Sequence, residues 1–546
     1  MDIEALKAWA VADHRRNIER LRAGEITNQQ FLPMRLCNGL YMQRPEVKHM
    51  LRIKIPAGVC TADQLDAVAD VADGWGKGQT HVTTRQDFQI HHLDLEDSVP
   101  AIERLAAGGV TTRGAASDTV RNVTACPLTG VGASERFDVT PHALAISDHF
   151  LFHPWNGRLP RKFKVALSSC NADCAQVMIN DIGLVAVEVD GGRGFVLYAG
   201  GGLGPTPEMA HRMRDFVPEE DVLLVCEAIV RLYHREGERK NRKRNRMKFL
   251  LRRHGEAEFR RRLDEEVEAV DAEKGDTLRA ELRGTLARYE EPEPLPPAPG
   301  LPDGGTEFRH WVRTNTGSQR QAGYRHVTVA VPLGDLTSAQ LRRVGAIART
   351  LGNGTVRTTP SQNLVLRFVP EARLHEAWAA LVEAGVGRPD ADTVGDVISC
   401  PGGDYCSLAI TKSMGVSTKV NALLGSNGVV EKLGKFSIRV SGCPNGCGQD
   451  KVGDIGLTGL VSRDEYGVDR PFYSIRIGGG VGEGATTGRR IERRFSEADA
   501  PLAIDAMARH YVSDRLPGES FRAYVARNGT KELSRVAALA VGGRAI

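Results

Sequence analysis

Residues Lys162–Leu184 read KFKVALSSCNADCAQVMINDIGL, and residues Lys435–Leu457 read KFSIRVSGCPNGCGQDKVGDIGL. The two align without a gap at an offset of 273. Working outward, "DTVRNVTACP" (Asp118–Pro127) returns as "DTVGDVISCP" (Asp392–Pro401) at an offset of 274. "GGGLG" at Gly200 returns as "GGGVG" at Gly478, and Thr83-Thr84 returns as Thr358-Thr359. Thr61-x-x-Gln64 and Thr337-x-x-Gln340 both read as helix-starting capping boxes. Landmarks in one order at nearly one offset mean a duplicated domain. The period is far longer than the roughly 20–50 residues of a solenoid repeat.

Each half opens with strand, capped helix and strand: "MLRIKIP", "TADQLDAVADVA", then "HVTT" and "FQIHHL" in the first, and "RHVTVAVP", "TSAQLRRVGAIA", then "TVRTT" and "LVLRFV" in the second. A cysteine-bearing α/β module follows each. "YEEPEPLPPAPGLPDGG" (Tyr289–Gly305) is a proline-rich, extended linker. The expected fold is therefore α/β (α+β), internally duplicated, with pseudo-two-fold symmetry. The segments are an N-terminal helical stretch at 1–45, a half-domain at 46–112, a module at 113–288, the linker at 289–305, a half-domain at 306–385 and a module with C-terminal helices at 386–546.

The chain has 546 residues, 41% hydrophobic and 26% charged, the balance of a multidomain globular protein. Its net charge of +4 is not that of a polycation seeking nucleic acid. The start, "MDIEALKAWAVADHRRNIERL", is a charged amphipathic helix and not a signal peptide, and no apolar run approaches membrane-helix length. A cytoplasmic protein is expected. Ten cysteines are too sparse for a disulfide scaffold, so the clustered ones point to metal.

The copies differ where chemistry is expected. The second offers Cys400, Cys406, Cys443 and Cys447, spaced C-x5-C and C-x3-C. The first has only Cys126, Cys170 and Cys174, with Gly132 at the position of Cys406. Four thiolates suit a [4Fe–4S] cluster. Structural zinc also takes four, usually from tighter C-x2–4-C pairs. Cys37, Cys60 and Cys226 are isolated and read as core residues. Cations show the opposite asymmetry. Arg121 matches Gly395, Lys164 matches Ser437, and Arg85 meets Pro360 or Ser361; only Lys162 keeps its charge, as Lys435. Lys162 and Lys164 alternate in an extended apolar run and share one face. Buried ammonium groups are costly unless compensated, so these cations point to an anion, against the plainer reading of surface charges at strand ends.

The chain resembles the assimilatory sulfite and nitrite reductases from about residue 25 to 530. The motifs that carry the resemblance are the C-x5-C and C-x3-C pairs, "TTRQDFQIHH", "DTVRNV", "LPRKFK" and the two "GGG" turns. It implies ferredoxin-like half-domains, each followed by a siroheme/[4Fe–4S]-type module. Cys400, Cys406, Cys443 and Cys447 would bind the cluster, and Cys447 would also be the proximal ligand of the siroheme iron. Arg85, Arg121, Lys162 and Lys164 would line the distal, substrate-binding face. Arg113 and Asn445 would touch the siroheme periphery, and Arg242, Arg246 and Lys248 of the basic run from Arg235 would meet its carboxylates. The implied reaction is six-electron reduction of sulfite to sulfide in sulfur assimilation, with reduction of nitrite to ammonia as the alternative. Lysine at both alternating positions of "LPRKFK" favours sulfite, because nitrite-specific relatives tend to carry asparagine at the second.

With no flavin or nicotinamide module evident, electrons are expected from a small acidic ferredoxin or another donor protein. The basic run has little aromatic interleaving and reads poorly as a nucleic-acid site. The "GGG" turns do not complete a G-x-G-x-x-G nucleotide loop. His91 and His92 read as packing or exposed residues. A non-catalytic iron–sulfur or zinc protein, or a precorrin-processing relative, are the competing readings.

Overall fold

The computed structural model describes residues 3–44, 47–425, 428–463 and 467–543. The duplicated α/β fold is present as four five-stranded sheets, two per copy. Thr61 and Thr337 each accept from the backbone N–H of the glutamine three residues on, and Gln64 and Gln340 each reach back to the cap. These capping boxes start the helices Ala62–Trp75 and Ser338–Leu351.

The two half-domain sheets exchange a strand. Asp335–Thr337, from the second copy, pairs antiparallel with Gln79–Val82 of the first. Val59–Thr61, from the first copy, pairs with Thr355–Thr358 of the second. The two capped helices pack together, with Arg342 bonded to Asp70 and Asp73 at 2.6 Å each. A single hydrophobic core, from Leu51 and Val68 to Leu341 and Val356, therefore serves both half-domains. The strand Leu40–Met42 also joins the first sheet, although its position within 1–45 had placed it in the helical segment. The long helical stretches of that segment end at Cys37.

Each module sheet has three parallel strands followed by an antiparallel pair. In the first these are Thr124–Ala125, Val165–Ser168, Ile182–Val189, Gly192–Ala199 and His211–Pro218. In the second they are Ile398–Ser399, Ile438–Ser441, Ile455–Arg463, Asp469–Ile477 and Arg489–Phe495. Apolar runs such as Val165–Ser168 and Ile438–Ser441 are buried along their whole length, as parallel strands covered on both faces require. Each module keeps its own core.

The linker has no regular secondary structure, as its prolines dictate, but it is anchored. Glu291 pairs with Arg367 and, at 3.4 Å, with Arg357, two fully buried arginines of the second half-domain sheet. Burial would raise the Glu291 carboxyl, but Arg367 and Arg357 outweigh it and hold it down to about 2. Such a group stabilises the fold above its unfolded value, and that contribution is lost as pH falls from about 4.5 through about 2. Glu291→Ala leaves two buried guanidinium groups without their carboxylate. It should lower unfolding stability by about 3 kcal/mol at neutral pH, with a difference that shrinks in acid, measured by urea titration.

Candidate active site

The site is assembled from opposite ends of the two copies. Cys400 directly follows the strand Ile398–Ser399, and Cys443 and Cys447 lie in the loop after Ile438–Ser441. All three stand at the carboxyl ends of parallel strands, where α/β sheets offer their loops to ligands. Arg121, Lys162 and Lys164 lie on the other side of their strands, ahead of Thr124–Ala125 and Val165–Ser168. The pseudo-two-fold axis turns the amino ends of the first module toward the carboxyl ends of the second. Thr84 Oγ1 donates to the Cys447 carbonyl at 2.8 Å, and Gln449 Nε2 donates to the Thr84 carbonyl at 3.2 Å. Gly446 lies beside Leu203 and Gly204 of the first "GGG" turn, and its φ of +70° favours glycine.

Around the thiols the backbone presents N–H donors. Gly442 N–H reaches Cys400 Sγ at 3.2 Å, and Ser413 Oγ lies 3.4 Å from the same sulfur. Gly402 also bonds Cys400, Leu408 and Ala409 bond Cys406, and Asn445 bonds Cys443 through both backbone and side chain. Burial pushes the Cys400 thiol up to about 12 and also raises Cys406 and Cys443, while the N–H groups oppose that rise. Cys400, Cys406 and Cys443, hard to ionise alone and each given donors to sulfur, fit together with Cys447 a cluster whose iron holds them as thiolates.

Facing Cys447 are cations without carboxylate partners. Lys162 and Lys164 flank Phe163, which is buried and bridges to Val120. Among the described residues, neither ammonium group has a hydrogen-bond or ion-pair partner. Burial holds Lys162 down to about 8, with Cys447 opposing and Arg246 and Arg121 reinforcing. Burial, then Arg85 and Lys162, push Lys164 well below the ordinary lysine range. Arg121 is fixed by the carbonyls of Ala115 (3.0 Å) and Ser117 (2.7 Å), and Arg85 by Asn180 Oδ1 (2.8 Å) and the Val165 carbonyl (3.0 Å). The guanidinium groups are thus held by neutral acceptors, while the Asp87 and Asp181 carboxylates act on Arg85 through their field.

The peripheral residues divide. Arg246 joins the cationic group while pairing with Asp181 at 2.9 Å. Lys248 is buried and donates to the carbonyls of Gly202 (3.0 Å), Leu203 (3.1 Å) and Thr206, so it closes the "GGG" turn instead of offering a free charge. Arg242 lies exposed in the loop ahead of Met247–His254. Arg113 donates to Asn38 Oδ1 at 3.3 Å and lines a separate groove with Trp9 and Cys37. Cys37 is half-buried beside that groove, unlike the fully buried Cys60 and Cys226. Asn445 is drawn to Cys443.

Sequence reasoning missed Tyr41, whose hydroxyl lies 3.3 Å from Arg121 and whose ring lies under Arg52 at 5.2 Å. Burial alone would raise its phenol, but Arg121, Arg52 and Lys162 bring it to about 8. It also missed Thr84 and Gln449; their recurrence near "TTRQ" and the second C-x3-C loop was the available signal. His91 is buried and packs on Tyr405, ring centroids 4.4 Å apart.

A duplicated α/β chain that turns four thiols, three of them with donors to sulfur, toward unpaired lysines has the architecture of an iron–sulfur enzyme acting on a small anion. The description "Nitrite and sulphite reductase 4Fe-4S domain" matches residues 116–270 and 390–543, and "Nitrite/Sulfite reductase ferredoxin-like half domain" matches 42–108 and 318–384. The chain belongs to this family, and with membership come the [4Fe–4S] cluster and siroheme. It is 31% identical over 513 residues to the assimilatory ferredoxin-dependent nitrite reductase of Haloferax mediterranei, covering 90% of this chain and 84% of that protein. It is 27% identical to sulfite reductase [ferredoxin] 2 of Mycolicibacterium paratuberculosis, covering 89% of this chain and 83% of that one. The solved structure of Mycobacterium tuberculosis NirA superimposes with a TM-score of 0.80 at 25% identity, over 98% of this chain and 97% of that one. No helix among the described residues is long and apolar enough to cross a membrane.

If the quartet rather than the first-copy trio holds the cluster, Cys406→Ser or Cys443→Ser should abolish the cluster's electron paramagnetic resonance signal and iron content. Cys170→Ser should retain both. The reverse pattern would place the cluster in the first copy.

Proposed function

We propose that the chain reduces sulfite to sulfide by six electrons, using Cys400, Cys406, Cys443 and Cys447 to hold the cluster and Cys447 to join it to siroheme. When bound, these two groups supply the electrons and the iron centre at which the anion's oxygens are removed. The observation that carries the reading is the pair Lys162 and Lys164, two ammonium groups with no counter-charge beside Cys447. Sulfite is partly dianionic near neutral pH and meets two such charges better than a monoanion does. Arg85 and Arg121, held rigidly by carbonyl and amide oxygens, would grip the anion's oxygens. Either lysine, with its ammonium eased toward neutral pH, would release a proton to an oxygen leaving as water. Among the described residues no carboxylate bonds either guanidinium group directly, so both remain open to the anion, although the Asp87 and Asp181 carboxylates act on Arg85 through their field.

Nitrite is the second reading. It is favoured by relatives named as nitrite reductases, at 31% identity in Haloferax mediterranei and 30% in Synechococcus elongatus. For either anion the donor supported by the relatives' names is a ferredoxin. Beside Cys406 lies Leu408, 68% exposed, an apolar edge suited to contact with a donor protein, next to Lys412, which faces Asp404 at 3.7 Å.

Lys164→Asn should separate the two substrates. Removing one partner of a desolvated charge pair costs about 2–5 kcal/mol, or roughly 30- to several thousand-fold. The loss in kcat/KM should fall mainly on sulfite, whereas Lys162→Ala should damage both reactions; equal losses in Lys164→Asn would remove the argument for sulfite. In the same assays, ferredoxin-driven turnover should decline as salt rises while turnover with a neutral dye changes less.

A further inference from the structure

Protons must reach a pocket lined by cations, and the fold carries a set of buried polar atoms with no use in the site as described. A cavity of about 70 Å³ is lined by Lys54, Lys7, Thr111, Ser147 and Asp148. Lys54 is 1% exposed and Asp87 3% exposed. Lys54 Nζ, Asp87 Oδ1, Asn122 Oδ1 and Arg85 Nε are all buried without a hydrogen-bond partner. They are neighbours. Asn122 Nδ2 donates to the carbonyl of Ile55, next to Lys54, at 2.7 Å, and to that of Arg85 at 3.1 Å. Asp87 lies in the field of Arg52, Arg85, Lys54 and Arg121, and Lys54 in that of Asp148, Asp87 and Arg85.

Buried polar groups in native proteins are nearly always satisfied, and where protein partners are missing the partner is ordered water. Four orphaned atoms on neighbouring residues, one of which lines a cavity large enough for water and another of which is a cation of the anion pocket, therefore mark a hydrated path. We propose that Lys54 and Asp87 form a water-bridged proton relay from this cavity to the anion pocket, ending at water held by Arg85 Nε–H. The proposal rests on the anion-reducing function above.

The proton balance closes. The Lys54 ammonium passes a proton through water to the Asp87 carboxylate and regains one from the cavity. Asp87 passes it to the water at Arg85, which has given its own proton to the departing oxygen of the anion. Arg85 keeps all its protons, and no electron travels this route. One proton enters from solvent and one leaves in product water. Burial brings Lys54 down to about 8, with Asp148 and Asp87 opposing. Burial takes Asp87 up to about 6, against Arg52, Arg85, Lys54 and Arg121. Both groups can therefore exchange protons near neutral pH, as a relay requires.

The test has two arms. In the first, Asp87→Asn and Lys54→Met holoenzymes are assayed with a dye donor. Each should lose kcat on the order of a hundredfold, with KM for the anion unchanged and with the pH profile altered. An unchanged kcat and pH profile, or a raised KM at unchanged kcat, would overturn the relay, the latter showing that these residues only shape the anion pocket. Should Asp87→Asn lose its cofactors, Lys54→Met carries this arm. In the second, a high-resolution crystal structure of the wild-type holoenzyme should show ordered waters joining Lys54 Nζ, Asp87 Oδ1 and Arg85 Nε. A dry gap, or direct pairing of those atoms with other protein groups, would overturn the route. If the wild type reduces neither anion, the proposed function fails and the crystal arm alone decides the path.

Discussion

The site depends on one constraint: the amino ends of the first module's parallel strands must meet the carboxyl ends of the second's. A strand pair alone cannot arrange this. The exchange of Val59–Thr61 and Asp335–Thr337 between the half-domain sheets locks the copies around their pseudo-axis. The shared core beneath those sheets leaves little freedom for either copy to turn. The loop Thr83–Arg85 is then carried from the first half-domain onto the Cys447 loop, where Thr84 and Gln449 fasten it. A small error in the relative pose of the copies would separate cations from thiols.

Duplication creates a second, pseudo-equivalent meeting place, and its charges explain why only one is built for an anion. Cys174 occupies the place of Cys447 and lies near Lys435, the counterpart of Lys162. There Asp173 and Asp392 also face the thiol, while Gly395 and Ser437 stand where Arg121 and Lys164 would be. Cys126 and Cys174 hydrogen-bond to each other instead of spreading around a cluster. Burying like charges together is unfavourable without a compensating ion, and this second place carries fewer cations than the first.

Burial shapes the live pocket in two ways. It weakens the hold of Lys162 and Lys164 on their protons, and it denies them carboxylates that would neutralise them. Burial brings Arg85 down only to about 9, with Asp87 and Asp181 opposing, so it stays charged near neutral pH. Under the proposed function, binding would fall to fixed charge and proton release to the lysines. Asp181 serves the scaffold by accepting from the Lys164 backbone and from Arg246, both at 2.9 Å.

Sequence by itself determined the duplication, the capped helices, the four-against-three cysteine count and the identity of the uncompensated cations. Each of these is a local pattern or a comparison of aligned positions, and such patterns survive in one dimension. Tyr41, Lys54, Asp87 and the strand exchange were not legible, and neither was the anchoring of the linker by Glu291. Tyr41 and Arg121 are far apart in the chain and share no motif, so only packing brings them to 3.3 Å. The charges of Lys248 and Arg113 are written in the sequence, but that Lys248 closes the "GGG" turn and that Arg113 reaches Asn38 is decided by packing. Charge type is written in the sequence; whether a charge is left unpaired depends on which long-range neighbours folding brings within about 3 Å of it, the reach of a hydrogen bond.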